Sequence, residues 1–182
     1  MKKKINIVLG VTGSIAAYKA CELVRLCIKE QWNVNVIMTP SATQFVPELT
    51  FQTLSRNPVG IDMFEAPKEW RPEHVNLADS ATVFVVAPCS ANTMAKISLG
   101  LADNLLTSTA LACKAPMILA PAMNAGMWTN VVTQEHVKAL KKRGVIVMDT
   151  GTGDLACGYK GCGRMPEPEE IFEEIKKVVK KK

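Results

Sequence analysis

Five short apolar runs alternate with longer helical patterns along this chain, and the alternation limits the folds it can adopt. The runs cover residues 5–9, 34–38, 82–87, 117–120 and 145–148, with a weaker sixth candidate at residues 59–64. Unbroken apolar runs indicate strands buried on both faces, and parallel strands need long crossover connections that cover the sheet. The pattern therefore predicts an α/β fold, a three-layer Rossmann-like sandwich with a mostly parallel six-stranded sheet in the order 3-2-1-4-5-6.

The helical segments carry apolar positions that should pack on this sheet. The first helix is expected to open at Ser14, whose hydroxyl could cap the amides of the first turn. Its apolar stripe comprises Ala17, Cys21, Val24 and Ile28. Further helices are expected at residues 103–113, 129–143 and 168–179. Residues 40–72 and 151–168 have weak patterns and are interpreted as long loops, which are often functional in compact domains.

Length and charge narrow the class of protein. With 182 residues and 48% hydrophobic content, the chain should form one domain over residues 1–182. The formal net charge is +5, but eight lysines lie in the first four and last seven residues, and the remainder carries a net charge of −3. A nucleic-acid-binding protein would carry a basic patch with interleaved aromatic residues. No nucleic-acid partner is therefore expected.

Membrane and metal partners are not expected either. No apolar stretch approaches the roughly 20 residues of a membrane-spanning helix, and the basic start lacks a signal-peptide pattern, so we expect a soluble, cytoplasmic protein. The cysteines are Cys21, Cys27, Cys89, Cys113, Cys157 and Cys162. They are too few and too scattered for a disulfide framework and form no C-x-x-C pair, which favours reduced thiols and no metal site.

Several loops have unusual compositions where ligands of open parallel sheets bind, beyond the carboxyl ends of the strands. Residues 10–14, G-V-T-G-S, form a small-residue turn before a helix, where free amides and the helix dipole favour a phosphate. Residues 39–42 follow the second strand with hydroxyl side chains, and residues 87–93 and 102–104 supply further polar groups. Taken singly, each loop fits ordinary turn or capping chemistry equally well.

The loop after the fifth strand, residues 120–128, is harder to explain as an ordinary turn. Its Asn124 could orient a ligand carboxylate or amide through its side-chain donors. An apolar wall or a subunit contact could come from Met123, Met127 and Trp128. Structural packing is the alternative interpretation for the methionines.

Two side chains outside these loops could take part in proton transfer. His74 is one of two histidines, and imidazole is a natural general base near neutral pH, although a structural histidine is the commoner case. The other, His136, falls in a polar helical pattern that predicts a surface position. Cys157 lies within a glycine-rich segment, residues 151–164, that could open and close as a flap.

Together these motifs resemble those of the homo-oligomeric flavin-containing cysteine decarboxylases, over essentially the whole chain. The resemblance is carried by Gly13-Ser14-Ile15, by His74, by Pro88-Cys89-Ser90-Ala91-Asn92-Thr93 and by residues 121–128, P-A-M-N-A-G-M-W. Within the family, residues 153–158 and 163–168 resemble members that act on phosphopantothenoylcysteine rather than on peptides. The glycine-rich segment thus indicates the substrate.

The resemblance implies a lyase of coenzyme A biosynthesis that uses FMN. The flavin would oxidise the substrate thiol to a thioaldehyde, loss of carbon dioxide would give an enethiol, and the reduced flavin would return the electrons. FMN binding is implied for Gly13, Ser14, Ile15, Thr39, Ser90, Asn92, Thr93 and Asp103. Substrate binding is implied for Met123, Asn124, Lys160 and Arg164. His74 would act as a base or position the substrate, and Cys157 would donate a proton in the final reduction.

The resemblance also implies a trimer or a trimer-based dodecamer, with each flavin site near a subunit interface. Most bacterial members are fused to a phosphopantothenate–cysteine ligase, so the chain is either free-standing or part of such a protein. A flavin prenyltransferase is the nearest alternative, but it should lack the pairing of His74 with Cys157. The second alternative is a non-catalytic FMN-binding regulatory protein. The presence of His74, Asn124 and Cys157 together argues against it.

Overall fold

Six parallel strands form one sheet through the middle of the protein. The computed structural model describes residues 5–64, 70–154, 158 and 160–180. The strands are β1 (Asn6–Val11), β2 (Asn33–Met38), β3 (Val59–Gly60), β4 (Val83–Cys89), β5 (Met117–Pro121) and β6 (Ile146–Val147). Their order is β3-β2-β1-β4-β5-β6, and every pairing is parallel. The predicted Rossmann-like sheet is confirmed, including its strand order.

Eight α-helices, one short 3-10 helix (Ala42–Gln44) and one antiparallel hairpin complete the regular structure in the described part of the chain. The helices are α1 (Ala17–Lys29), α2 (Glu48–Ser55), α3 (Glu73–Ser80), α4 (Ala91–Leu99), α5 (Leu105–Ala112), α6 (Ala125–Thr129), α7 (Val131–Lys142) and α8 (Pro168–Lys180). The hairpin pairs β7 (Gly151–Asp154) with β8 (Lys160–Arg164). None of the helices described is long and apolar enough to cross a membrane.

Two apolar layers cover the two faces of the sheet. Successive side chains of a strand point to opposite faces, so Leu9 of β1 packs in the layer with α1 and α8, and Val8 packs in the layer with α4, α5 and α7. All seven residues of β4 are buried. This two-sided burial explains why the strands are continuous apolar runs rather than alternating patterns.

The first helix begins three residues later than predicted. Ser14 forms a tight turn instead, in which its carbonyl accepts the Ala17 amide at 2.9 Å and its hydroxyl accepts the Ala16 amide at 3.3 Å. The predicted stripe is confirmed at Ala17 and Val24, which are buried, while its other two members are half-buried at the edge of the same layer. Ser14 therefore lies in the connection between β1 and α1 and not in the helix.

The two predicted long loops contain regular structure. Residues 40–72 include α2, whose Phe51 is fully buried, and the short edge strand β3. Residues 151–168 include the hairpin, which has no strand pattern because four of its nine residues are glycines. The weak strand candidate at residues 59–64 is confirmed by β3, which is shorter than predicted. The loop prediction is wrong at α2 and at the hairpin, because an eight-residue helix is too short for a clear period and glycine strands form through pairing rather than propensity.

His136 is half-buried, so its predicted surface position is wrong. Its Nδ1 lies 3.1 Å from the hydroxyl oxygen of Ser98, at the end of α4. Arg143 also donates a hydrogen bond to the carbonyl of Ser98. These polar contacts join α7 to α4 and account for the histidine without a catalytic role.

Two buried thiols give a test of this packing. Burial raises the pKa of Cys27 and of Cys89 to about 12, so both should remain protonated thiols well above neutral pH. Since the thiolate is the nucleophile, we expect both to resist iodoacetamide at about pH 8 in the native protein and to react after unfolding in guanidinium. Peptide mass spectrometry would measure the modification, and rapid labelling of native Cys89 would contradict its buried position.

Candidate active site

A cavity of about 440 Å³ opens beyond the carboxyl ends of β1, β4 and β5. β1 and β4 are the neighbouring strands at which the strand order reverses, and open α/β sheets bind ligands at such a point. Of the residues predicted for the site, the cavity brings together Gly13, Ser14, Ile15, Ser90, Met123, Asn124 and Arg164. Residues from both ends of the chain therefore share one site.

The turn between β1 and α1 forms one side of the cavity. A Cβ atom at Gly13 would lie 2.5 Å from Cβ of Ser41, so this close approach of two loops admits only glycine. Ser14 follows at the start of the turn into α1. The N-terminal end of a helix carries unpaired amides and a partial positive charge, which suit a phosphate.

Thr39 carries an unsatisfied polar group next to this turn. Its amide donates to the carbonyl of Val11 at 3.0 Å, which places it beside the end of β1. In the part of the chain that the structure describes, its buried Oγ1 has no hydrogen-bond partner. A buried hydroxyl without a partner costs about 1–3 kcal/mol, and a ligand oxygen at this position would remove that cost. Thr39 thus fits its predicted role, although it does not line the cavity itself.

The turn after β4 forms the adjacent side. Ser90 is the N-cap of α4: its Oγ accepts the Thr93 amide at 3.3 Å and donates to the Thr93 hydroxyl at 3.2 Å. Thr12 joins this turn to β1, because its hydroxyl donates to the Pro88 carbonyl at 2.7 Å and accepts the Ser90 amide at 2.9 Å. Asn92 is exposed in the first turn of α4. The polar cluster therefore serves as a helix cap as well as lining the cavity.

The loop after β5 supplies an apolar wall and one amide side chain. Met123 and Met127 both line the cavity, as does Met165 from the segment after β8. Asn124 is the N-cap of α6, and its Oδ1 accepts the Gly126 amide at 2.8 Å. This bond fixes the orientation of the asparagine side chain. The combination suits a flat apolar ring with a polar edge.

The hairpin closes the cavity on the side of this wall. Gly163 of β8 has φ of +108°, and its carbonyl accepts the Met123 amide at 2.9 Å. Its own amide donates to the Thr150 hydroxyl at 3.1 Å. A Cβ atom at Gly163 would overlap the carbonyl oxygen of Met123. The glycine is required here by both the backbone conformation and the close approach.

Two cations line the cavity and share one carboxylate. Lys19 Nζ lies 2.7 Å from both carboxylate oxygens of Glu167, and its side chain is only 14% exposed. Arg164 Nη2 lies 3.6 Å from the same carboxylate. Lys19 was not predicted as a site residue, because the prediction considered the loops and Lys19 is in the first turn of α1. The available signal was its charge, since a cation is unfavourable at that end of a helix.

Other predicted residues lie away from the cavity in a single chain. His74 is the second residue of α3, near the edge strand β3, where Glu73 approaches Gly60. Asp103 is paired with Lys96, whose hydrogen bond lowers the pKa of the aspartate. Asn92 and Lys160 are exposed, Thr93 is buried, and none of these three lines the cavity. The predicted proton donor, Cys157, is outside the described residues.

Comparison with known families accounts for this set of loops. The family model described as Flavoprotein matches residues 1–180. The chain belongs to the Flavoprotein family. The cavity of this chain combines a small-residue turn before a helix with an apolar wall.

Similar proteins include ones whose names refer to coenzyme A biosynthesis or to phosphopantothenoylcysteine decarboxylase. A probable phosphopantothenoylcysteine decarboxylase of Streptococcus mutans is 43% identical over 177 residues, covering 96% of this chain and 98% of that protein. The coenzyme A biosynthesis bifunctional protein of Haemophilus influenzae is 43% identical over 167 residues, covering 92% of this chain and 42% of that protein. The chain therefore spans about two fifths of the length of the bifunctional relatives.

Solved structures share both the fold and part of the sequence. A PPC decarboxylase mutant complexed with pantothenoylaminoethenethiol is 32% identical with a TM-score of 0.87, covering 98% of this chain and 100% of that one. The FMN binding protein AtHal3 is also 32% identical, with a TM-score of 0.84 and 99% coverage of both chains. These similarities confirm the resemblance to flavin-containing cysteine decarboxylases that the motifs predicted.

The residues of the cavity fit a flavin mononucleotide. The Gly13 turn and the unsatisfied Thr39 hydroxyl suit the phosphate end, and the methionine wall suits the ring system. Among residues 5–64, 70–154, 158 and 160–180, no group of three or more histidine, cysteine, aspartate or glutamate side chains could hold a metal ion.

The contact between the hairpin and the cavity wall can be tested at Gly163. We expect Gly163→Ala to separate β8 from the Met123 loop, because the new Cβ overlaps the Met123 carbonyl and the positive φ disfavours alanine. Amide hydrogen exchange at Met123 should then accelerate by at least about tenfold. Gly151→Ala is the matched control in the same hairpin, since its Cβ would meet Arg164 at an ordinary 3.6 Å. Equal exchange in both variants would contradict the contact.

Proposed function

We propose that this protein is an FMN-dependent decarboxylase that converts phosphopantothenoylcysteine to phosphopantetheine in coenzyme A biosynthesis. The observation that carries the proposal is the single cavity in which the Gly13–Ser14 turn, Ser90 and Asn124 meet. It is supported by the relative of matching length that is named a probable phosphopantothenoylcysteine decarboxylase. A cytoplasmic location and a single domain over residues 1–182 are part of the same proposal.

A redox cofactor answers a chemical difficulty of this substrate. Direct loss of carbon dioxide from the cysteine moiety would leave an unstabilised carbanion. When bound, FMN would supply a two-electron redox couple at the cavity, so that the substrate thiol could be oxidised to a thioaldehyde before carbon dioxide is lost, and the resulting enethiol could be reduced to phosphopantetheine afterwards. The thioaldehyde is the electron sink for decarboxylation, and the net reaction releases only carbon dioxide.

The chain's own residues bind the substrate and shield it from water. We assign the Asn124 side chain to the substrate carboxylate, because Oδ1 is held by the Gly126 amide and the side chain lines the cavity. Lys19 and Arg164 are the cations lining the same cavity and suit the phosphate of the substrate. Met123 contributes apolar surface beside the reacting carbon, and the exposed Lys160 adds long-range attraction for an anion.

Proton transfer is assigned to the two side chains that the resemblance indicates. His74 would remove or hold a proton at the substrate thiol, and Cys157 would deliver a proton to the enethiol during the final reduction. The predicted flavin contacts, Gly13, Ser14, Ile15, Thr39, Ser90, Asn92, Thr93 and Asp103, complete the assignment. Thr93 is hydrogen-bonded to Ser90 and Asp103 to Lys96, so each would act on the flavin site through that neighbour.

A homo-oligomer, either a trimer or a dodecamer built from trimers, forms part of the proposal. Within one chain His74 lies beside β3, whereas the cavity is at β1, β4 and β5. The cavity is also bordered by exposed apolar side chains, among them Ile15, Tyr18 and Met127. A neighbouring copy would cover these side chains and bring a histidine to the cavity. A ligase domain or protein is the further partner, as in the bifunctional relatives.

The reaction can be followed directly by mass spectrometry. Purified protein with bound FMN should convert phosphopantothenoylcysteine to phosphopantetheine and carbon dioxide. Cys157→Ser should instead release a product two hydrogens lighter, because the enethiol receives no proton for its reduction. Cys113→Ser, a half-buried thiol outside the cavity, is the matched control and should behave as the wild type. A flavin-loaded wild-type protein that leaves this substrate unchanged would refute the substrate assignment.

Mixed oligomers can test whether His74 serves a neighbouring cavity. His74→Ala and Asn124→Ala should each reduce turnover by at least about a hundredfold when assayed alone. If His74 acts across the interface, equal mixing by co-expression should restore about one quarter of wild-type activity, because one cavity in four then receives both intact residues. Each variant co-expressed with itself is the control. If His74 acts within its own chain, no activity will return on mixing.

A further inference from the structure

We propose that Thr12 is a positioning residue for the flavin site, whose buried hydroxyl sets the spacing between the two turns that line the cavity. The inference rests on the proposed function, because it concerns the affinity of the site for a flavin. Thr12 itself is 1% exposed and does not line the cavity. It acts through the residues on either side of it.

The backbone pairing of β1 and β4 ends before the cavity begins. The two strands are in register from Ile7 with Val83 to Gly10 with Val86, and the pairing of β4 with its other neighbour, β5, becomes irregular beyond Val86. Thr12 lies two residues beyond the last pair. Backbone hydrogen bonds connect the two strands up to Gly10 and Val86. Beyond that pair, the Thr12 side chain connects them instead.

One hydroxyl group makes both bonds of this connection. Thr12 Oγ1 donates to the Pro88 carbonyl at 2.7 Å and accepts the Ser90 amide at 2.9 Å. The donor and the acceptor capacity of the hydroxyl are both used, across a sequence separation of 76 and 78 residues. Because the hydroxyl bonds to two points of the turn after β4, it fixes the orientation of that turn relative to β1 as well as the distance between them.

The two turns joined by Thr12 carry the phosphate-binding parts of the site. On one side Gly13 and Ser14 follow it directly, and on the other Ser90 and Ala91 follow β4; all four line the cavity. Ser90 also caps α4 through the Thr93 amide. A change at Thr12 should therefore move the starts of both α1 and α4 relative to each other, and a flavin that contacts both would lose affinity.

Valine has the shape of threonine without the hydroxyl, so Thr12→Val removes the connection while preserving the packing. It leaves the Ser90 amide and the Pro88 carbonyl without their buried partner. Thr12→Ser keeps the hydroxyl. Thr109→Val is the matched control, because Thr109 is 0% exposed and its hydroxyl donates to the Leu105 carbonyl at 2.7 Å within α5, away from both turns.

The experiment measures the dissociation constant of FMN by quenching of flavin fluorescence, together with the thermal unfolding of each protein without flavin. We expect Thr12→Val to weaken FMN binding by about tenfold or more, and Thr12→Ser and Thr109→Val to stay within about twofold of the wild type. In the flavin-free protein, exchange of the Ser90 amide should accelerate in Thr12→Val and remain slow in Thr12→Ser. Thr12→Ala also lacks the hydroxyl and is measured in the same way. The FMN affinity can then be compared even if Thr12→Val does not fold.

Each other outcome overturns the proposal. Unchanged FMN affinity in folded Thr12→Val or Thr12→Ala would show that the connection does not serve the site. An equal loss in Thr109→Val would attribute the effect to general stability, and loss of folding in both the valine and alanine variants would assign Thr12 to folding instead. A wild-type protein that binds no FMN would overturn the proposed function as well, whereas the preceding outcomes leave that function intact.

Discussion

Parallel pairing of β1 with β4 is the interaction on which the site depends. The helix that follows β1, α1, packs in one apolar layer, and the helix that follows β4, α4, packs in the opposite layer. The two connections must therefore diverge at the carboxyl ends of adjacent strands, and they leave a crevice between them. Both helices begin at this crevice, so their N-terminal amides are directed at the same space. A cavity for an anionic ligand is a consequence of the sheet order itself.

The cavity has two chemically different sides, one apolar and one cationic. Methionines from the β5 loop and from the segment after β8 supply a polarisable apolar wall. Lys19 and Arg164 supply positive charge, and Glu167 balances part of it while it holds Lys19 in place. The hairpin connects these regions, because Gly163 is bonded to Met123 and Arg164 is the next residue. The hairpin thus connects the apolar wall to the cationic side.

Much of this could be predicted from the amino-acid pattern, and the failures have physical causes. The sheet was predictable because two-sided burial leaves continuous apolar runs, and β4 is buried at every position. The site loops were predictable because parallel strands end at one edge of the sheet. Lys19 was missed because it belongs to a helix that reaches the cavity, and the hairpin because its glycines carry no strand preference. Thr12 was noted only as part of a small-residue turn, since its partners are 76 and 78 residues away.

The sequence by itself determined the class of fold, the family and the set of loops at the carboxyl edge, because these follow from local composition and from short motifs. The strand order was predicted as the usual order of a Rossmann-like sheet and not from any local pattern. Only the tertiary structure decided which of these loops share a cavity, which cations line it and that His74 lies outside it within one chain. The physical reason is that such contacts join residues far apart in sequence, whose distances depend on how strands and helices pack and not on any local preference.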